Sequence, residues 1–353
     1  MALVRQGIGH ESRVPSQVID WTAIKALADM HGLSAIVLDG VNGLSGLSNS
    51  AVQGPAKQFL LQWIGEVMQS YEGRYATYEK AIGSLAGFYN QHGYKMMVLK
   101  GYACSLDWPN PKHRPCGDID IWQFGNQKNA DAFLSKEKDV KIDTSHHHHT
   151  VFEWDLFSVE NHYDFINVHH HKSNVEFEKI LKQLGEDDSY TVEVNGEKVY
   201  LPSPNLHALF LLKHLMMHFA SEGIMLRQVV DWGFFVEKHS KDVDWKYVLE
   251  VLDQFGMYEM FNIINAICVG DLGFDVAYFP TAQFEPNLKD RVLNEILVPK
   301  YSASMPKNIF IRIAFKVRRW RGNEWKHQLS YKDSMWSAFW SGAWNHLLKP
   351  SSI

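Results

Sequence analysis

The sequence has little cysteine: three in 353 residues, Cys104, Cys116 and Cys268, far apart and with no Cys-x-x-Cys pair. That excludes a disulfide framework and a cysteine zinc site, and it fits a reducing, cytoplasmic setting. No window offers the ~18 consecutive apolar residues of a membrane span. The opening MALVRQGIGHESRVP lacks the apolar core of a signal peptide. An excess of positive charge is missing too. The net charge is −5, which argues against a whole surface built to grip nucleic acid or anionic lipid.

What is present is globular. Hydrophobic residues make up 46% and charged residues 21%, with 12 tryptophans to fill cores. The length suits two domains. Trp21, Ile24, Leu27 and Ala28 share a helical face, and GVNGLSGLSNS then breaks the pattern. From Ile64 through Val67, Tyr71, Tyr75, Tyr78, Ile82 and Leu85 to Tyr89, apolar residues recur at threes and fours, which predicts one long helix closed by Gly93. Met96–Leu99 reads as a short buried strand, and Lys100-Gly101 as a turn into a short helix. Gly117–Trp122 alternates polar and apolar, a half-buried strand. Thr150–Trp154 and Phe157–Phe165 read as strands, and Asn195-Gly196 between β-rich flanks as a hairpin. Beyond Pro202 only helical patterns follow, the last over 332–348. The expected organisation is an N-terminal helical and loop segment (1–55), a sheet domain (56–201) and a helical domain (202–353).

The chemistry centres on Leu99-Lys100-Gly101, Arg114 and Gly117-Asp118-Ile119-Asp120-Ile121. Aspartates at i and i+2 on a strand point to one face and repel unless a cation sits between them. Their physical use is to hold hard divalent cations; Ile119 and Ile121 face the core. Taken alone, the pair also fits a solvent-facing strand.

The flanking residues sharpen this. The segment resembles the nucleotidyltransferase superfamily, the fold of DNA polymerase β and kanamycin nucleotidyltransferase. Its signature is an apolar strand, a glycine turn opening a helix, a D-h-D-h strand and a later third acid. More closely, LKGYACSLDWPNPKHRPCGDIDIW resembles a family of bacterial nucleotidyltransferases with L-K-G, a proline-containing loop, an arginine and D-I-D. Val159-Glu160-Asn161-His162 is similar to the family's V-E-x-H, and Gly223 to Trp232 to its G-x-x-L-R-Q-x-x-D-W. The resemblance covers roughly residues 80–240. It departs from the wider superfamily at Gly101-Tyr102, where Gly-Ser or Gly-Gly is usual, which removes one phosphate-binding hydroxyl.

The resemblance implies an α+β fold: a polymerase β-like mixed sheet with flanking helices, followed by an all-helical C-terminal domain. It implies an enzyme that moves a nucleoside monophosphate from an NTP to an acceptor and releases pyrophosphate. Asp118, Asp120 and Glu160 would bind two Mg²⁺, Glu160 completing the metal site or taking the acceptor's proton. Lys100 and Gly101 would contact the triphosphate, and Arg114 and Arg227 are further nucleotide-binding candidates. The alternatives are a toxin-type enzyme modifying tRNA or protein, and a nucleotide-binding regulatory module without turnover; the favoured acceptor is a small molecule.

Other groups carry weaker signals. His146–His149 precedes a strand, so either His147 and His149 or His146 and His148 are expected to face the cleft. His214 and His218, at i and i+4, lack the glutamate of His-Glu-x-x-His and read as helix histidines near the domain interface. Arg227 and Asp231 read as an i, i+4 ion pair, either a plain helix pair or a partly buried one that closes the helical domain over the nucleotide. Arg312, Lys316, Arg318, Arg319, Arg321 and Lys326 with Trp320 and Trp325 form a basic-aromatic stretch, either a solvated helix end or a surface for single-stranded nucleic acid. Trp336, Trp340 and Trp344 share one helical face.

Overall fold

The computed structural model of the chain describes residues 1–12, 19–45, 54–169, 171–281, 283–301 and 308–336. The expected helix over 332–348 from 337 on, with Trp340 and Trp344, and the second half (46–50) of the Gly40–Ser50 stretch lie outside them.

Six strands form one mixed sheet: β1 (Met97–Val98), β2 (Ile119–Trp122), β3 (His149–Trp154), β4 (Phe157–His162), β5 (Thr191–Val194) and β6 (Glu197–Tyr200). Their order is β3-β4-β2-β1-β6-β5. β2 runs parallel to β4 and β1 parallel to β6, while β1–β2, β3–β4 and β5–β6 are antiparallel. Asn195 and Gly196 both take positive φ (+51° and +83°), the turn that matches the twist of a tight hairpin.

The sheet has a different core on each face. Ile119, Ile121, Val98 and Val159 pack under the helix Arg74–Gln91, with its Tyr75, Tyr78, Ile82 and Leu85. Met97, Leu99, Trp122 and Phe165 point the other way, into a core that runs through the helices Pro204–Ser221, Leu226–His239 and Tyr258–Ala266. Leu3, Val4, Ile36 and Trp63 from the N-terminal segment belong to that same core. The helices beyond Pro202 and the N-terminal helices therefore close over one face of the sheet together.

The long helix expected over 64–89 is one helical run, Lys57–Val67, a π-helical stretch Met68–Gly73, and Arg74–Gln91. Gly93 follows it at φ +78°, as its C-terminal signal required. Four helices were not legible: Ala2–Gly7, Ser34–Ser45, which continues through the first half of the Gly40–Ser50 stretch expected to break the helix, Gln127–Lys138 and Lys172–Gly185. Gln127–Lys138 buries only Ala130 and Leu134 among its apolar residues, too few for a stripe. The strand expected over Phe157–Phe165 ends at His162, because Phe165 and Ile166 give their amide hydrogens to the buried Glu178 carboxylate rather than to a strand (2.9 and 3.1 Å). No helix among the described residues is long and apolar enough to cross a membrane.

Candidate active site

Parallel pairing of β2 and β4 sets Asp120 directly beside Glu160, with Ile119 opposite Val159 and Trp122 opposite His162. Ile119 and Ile121 are fully buried on the far face. The period of two along each strand then puts Asp120, Glu160 and His162 on the same face. That face floors a cleft of about 920 Å³, roofed by the helices Pro204–Ser221 and Leu226–His239. Asp118, Asp120, Glu160, Lys100, Gly101, Arg114 and Arg227 all line it, although they come from five separate parts of the chain.

Within this group Asp120 is the most enclosed acid, 3% exposed. Its Oδ1 accepts from the Lys100 ammonium (2.6 Å) and from His162 Nε2 (3.0 Å). Burial alone would push its carboxyl up, but Lys100 and His162 outweigh that and hold it well below the usual carboxylate range. For Lys100, burial opposes the charge, yet Asp120 keeps the ammonium pKa above its ordinary value. Burial likewise opposes charge on His162, and its bonds to Asp120 and Glu160 reverse the sign and raise it. Glu160 is held below its ordinary value: burial raises it, and the bond from His162 brings it down. Asp118 sits at the mouth, open to water yet surrounded by the cleft walls, and burial together with Asp120 and Glu160 raises its pKa.

Ligand atoms of Asp120, Glu160 and His162 lie within 4.8 Å of one another. Asp118 is near enough to feel both acids but is outside that tight group. The oxygen donors fit a hard divalent cation, and Lys100 already places a positive charge against Asp120. His162 was legible only as part of V-E-x-H, with no role assigned to it.

The turn before the cleft departs from expectation. The tight backbone is at Lys100, which takes φ +32°, and the helix that follows, Lys100–Ser105, is six residues long. Gly101 also has a packing reason to be glycine. A Cβ there would stand 2.8 Å from the Tyr78 hydroxyl, which donates to the Asp118 carbonyl (2.8 Å). Glycine at this point leaves room for the tyrosine that pins the residue carrying the first acid.

Arg114 is committed elsewhere. Its guanidinium forms a two-point bond with Asp231 (Nε to Oδ1 2.8 Å, Nη2 to Oδ2 2.9 Å), and Trp108 Nε1 donates to the same carboxylate (2.8 Å). Arg114 and Asp231 are 7% and 5% exposed. The pair ties the proline-rich loop to the roof helix. Asp231 thus pairs with Arg114 and not, as the i, i+4 spacing suggested, with Arg227. Arg227 Nη1 donates to the Pro115 carbonyl (3.3 Å), while its buried Nε has no hydrogen-bond partner. Burial and the neighbouring Arg114 lower its pKa. Of the two arginines, Arg227 keeps the donor capacity for an anion.

The histidines are arranged differently from the alternation rule. His149 opens β3, but His146–His148 lie in a bend, so adjacent His148 and His149 both line the cleft. Burial holds both neutral, His148 down at about 2 and His149 at about 4. Across the cleft His214 Nε2 stands 3.1 Å from His218 Nε2 and 3.4 Å from the Lys100 ammonium. The basic-aromatic stretch lies outside the cleft lining. Lys326, expected as part of it, is buried and paired with Glu295 (2.6 Å), so it does not extend the exposed patch of Arg312, Lys316, Arg318 and Arg321. Trp336 is 56% exposed and packs edge-on against Trp320, 4.8 Å between ring centres.

Comparison with known proteins adds the family. No curated protein matches the chain. An antigenic nucleotidyltransferase-like protein from Paracoccidioides brasiliensis, known from a crystal structure, aligns over 50% of this chain and 87% of its own with 16% identity and a TM-score of 0.34, too loose a likeness to bear on the fold. The sequence profile of the family described as "Uncharacterised nucleotidyltransferase" matches residues 17–269, a span that holds every residue of the cleft floor just described. The chain belongs to this family of uncharacterised nucleotidyltransferases.

Proposed function

We propose that the chain transfers a nucleoside monophosphate from an NTP to a hydroxyl on a small acceptor. The acceptor oxygen bonds to the α-phosphorus, the bond from that phosphorus to the α–β bridging oxygen breaks, and pyrophosphate leaves. The observation that carries the reading is the parallel register that seats Asp120 against Glu160, with Asp118 above them, on the floor of one cleft.

Asp118, Asp120 and Glu160 would hold Mg²⁺, which when bound stabilises charge on the attacking and leaving oxygens of such a displacement. The rest follows from the chain's own groups. Lys100 reaches Asp120 on a flexible stem and can turn to a phosphate when another cation takes its place. Arg227 offers a buried, unengaged Nε from the roof. Glu160, kept ionised, is placed to accept the proton of the incoming hydroxyl. Arg114 holds roof to floor through Asp231 and leaves the phosphates to Lys100 and Arg227.

Pyrophosphate release measured across the four NTPs with a panel of hydroxyl acceptors and Mg²⁺ tests this. Release that disappears in Asp120→Asn supports it; no release with any NTP defeats it. A nucleotide-binding module without turnover is the second reading, favoured by the Lys100 ammonium already seated on Asp120. It predicts tight Mg²⁺-NTP binding in that assay with no pyrophosphate. For the acceptor, a cleft of about 920 Å³ under two helices favours a small molecule. Salt-sensitive binding of bulk tRNA that vanishes when Arg318, Arg319 and Arg321 become alanine would move the reading to nucleic acid.

A further inference from the structure

The cleft floor has a nitrogen-rich end that the proposed reaction does not use. His148, His149 and His162 each offer a ring nitrogen, and the three lie within 4.8 Å of one another. Their rings are close: 4.4 Å between centres for His148 and His149, 5.3 Å for His149 and His162, and 5.6 Å for His148 and His162. Glu160 Oε2 stands 3.8 Å from His149 Nδ1 and 3.6 Å from His162 Nε2. His149 is 6% exposed.

Two of these nitrogens have no hydrogen-bond partner. His148 Nδ1 and His149 Nδ1 are both buried and unbonded, and both side chains line the cleft. Leaving a buried polar nitrogen unmade costs about 1–3 kcal/mol, so two side by side call for a ligand that satisfies both. A proton donor could satisfy one. A metal ion with several open positions satisfies both at once.

We infer that His148, His149 and His162, with Glu160 as a fourth donor, form a site for a borderline divalent transition ion of the Zn²⁺ or Co²⁺ type. Three imidazoles and one carboxylate suit such an ion and suit Mg²⁺ poorly, since Mg²⁺ takes oxygen donors. Donor atoms around a four-coordinate ion at about 2.0–2.1 Å lie closer together than 4.8 Å, so side-chain rotations of roughly 1 Å complete the site, with His162 giving up a proton and its Nε2 bond to Asp120. The backbone supports it: β3 and β4 pair His149 with His162 in register, and Trp122 pairs with His162 from the other side. Because Glu160 and His162 also border the oxygen donors of Asp120, the nitrogen site and the proposed Mg²⁺ site share one wall. The inference concerns metal binding and stands whether or not the chain transfers nucleotides.

The test is a Co²⁺ titration of the metal-free full-length chain, followed by visible absorption, with Zn²⁺ and Mg²⁺ as competitors. The expected result is one Co²⁺ per chain with the visible band of a low-coordinate ion, displaced by equimolar Zn²⁺ and untouched by excess Mg²⁺. His148→Ala and His149→Gln should each weaken Co²⁺ binding about tenfold or more, with melting curves confirming that both variants fold. The facing pair is the competing location, so His214→Ala/His218→Ala is the control and should bind Co²⁺ as the parent does. Full affinity in folded His148→Ala and His149→Gln overturns the inference. So does loss in the His214→Ala/His218→Ala variant in their place, or displacement of Co²⁺ by Mg²⁺. Pyrophosphate release with Mg²⁺ in metal-free protein is read separately, so failure of one proposal is not failure of the other.

Discussion

Two charged groups line the cleft, and they are built to opposite rules. Arg114 and Asp231 match charge for charge, with a two-point bond and a third donor from Trp108 on the same carboxylate. On the floor, the acids Asp118, Asp120 and Glu160 are set against Lys100 and His162, and one of the three keeps a raised pKa. Buried nitrogens nearby are unbonded. The matched pair leaves nothing for a ligand to add, so it holds the walls together. The unmatched group improves when something positive arrives. A fully satisfied buried network is architecture, and a frustrated one is where a ligand gains most.

This contrast can be broken in order of size. Arg114→Ala is the largest expected effect. It strands the Asp231 carboxylate in the interior and should cost about 3–5 kcal/mol in a urea unfolding series. A loss under about 1 kcal/mol would mean that the clamp is not the brace described. Asp120→Asn comes next. It should end pyrophosphate release yet cost only about 1–3 kcal/mol, because Lys100 keeps some access to water and to His214. The simple expectation that removing one of two neighbouring acids stabilises the protein does not apply here, since Asp120 is the acid that Lys100 and His162 hold.

Smaller still is Gly101→Ala. The new methyl meets the Tyr78 hydroxyl, so the bond to the Asp118 carbonyl is lost at a cost of about 0.5–1.5 kcal/mol. An unchanged melting temperature would show that the tyrosine can step aside. The smallest is Asp118→Asn, and its sign is opposite. The folded protein raises the Asp118 pKa, so the cost of its charge is absent below about pH 4, the unfolded value, and sets in as pH rises through the folded value. The asparagine should therefore stabilise at pH 7, by under about 1 kcal/mol after screening by water, and make no difference at pH 3. Paired melting curves at the two pH values check it.

Legibility followed sequence distance. Asp118 and Asp120 could be singled out because alternation is local, Glu160 because the resemblance carries a V-E-x-H, and the hairpin at Asn195-Gly196 because two residues decide it. The α+β mixed sheet was what the resemblance implied. The pairing of Asp120 with Glu160 joins residues of different strands, and the bond from Arg114 to Asp231 spans 117 positions, so no window on the sequence contains either. Arg227 looked like the partner of Asp231 because it is four residues away, and tertiary packing chose the more distant arginine. The alternation rule failed at His146–His149 because three of the four are not in a strand. The contact between Gly101 and the Tyr78 hydroxyl joins residues 23 positions apart and was likewise invisible in any short window.

The π-helical stretch Met68–Gly73 ties the two cores to each other through helical phase. Before it, Trp63 and Val67 face the core shared with the N- and C-terminal helices; after it, Tyr75, Tyr78 and Ile82 face the core on the other side of the sheet. A wider turn is in effect an inserted residue, and one residue is worth about 100° of rotation. Deleting one residue within Met68–Gly73 would return the run to plain α-helix and swing everything after it by about that angle, carrying the Tyr78 hydroxyl away from the Asp118 carbonyl. The count of residues in that short stretch, rather than their identity, thus sets where the first acid of the cleft is held.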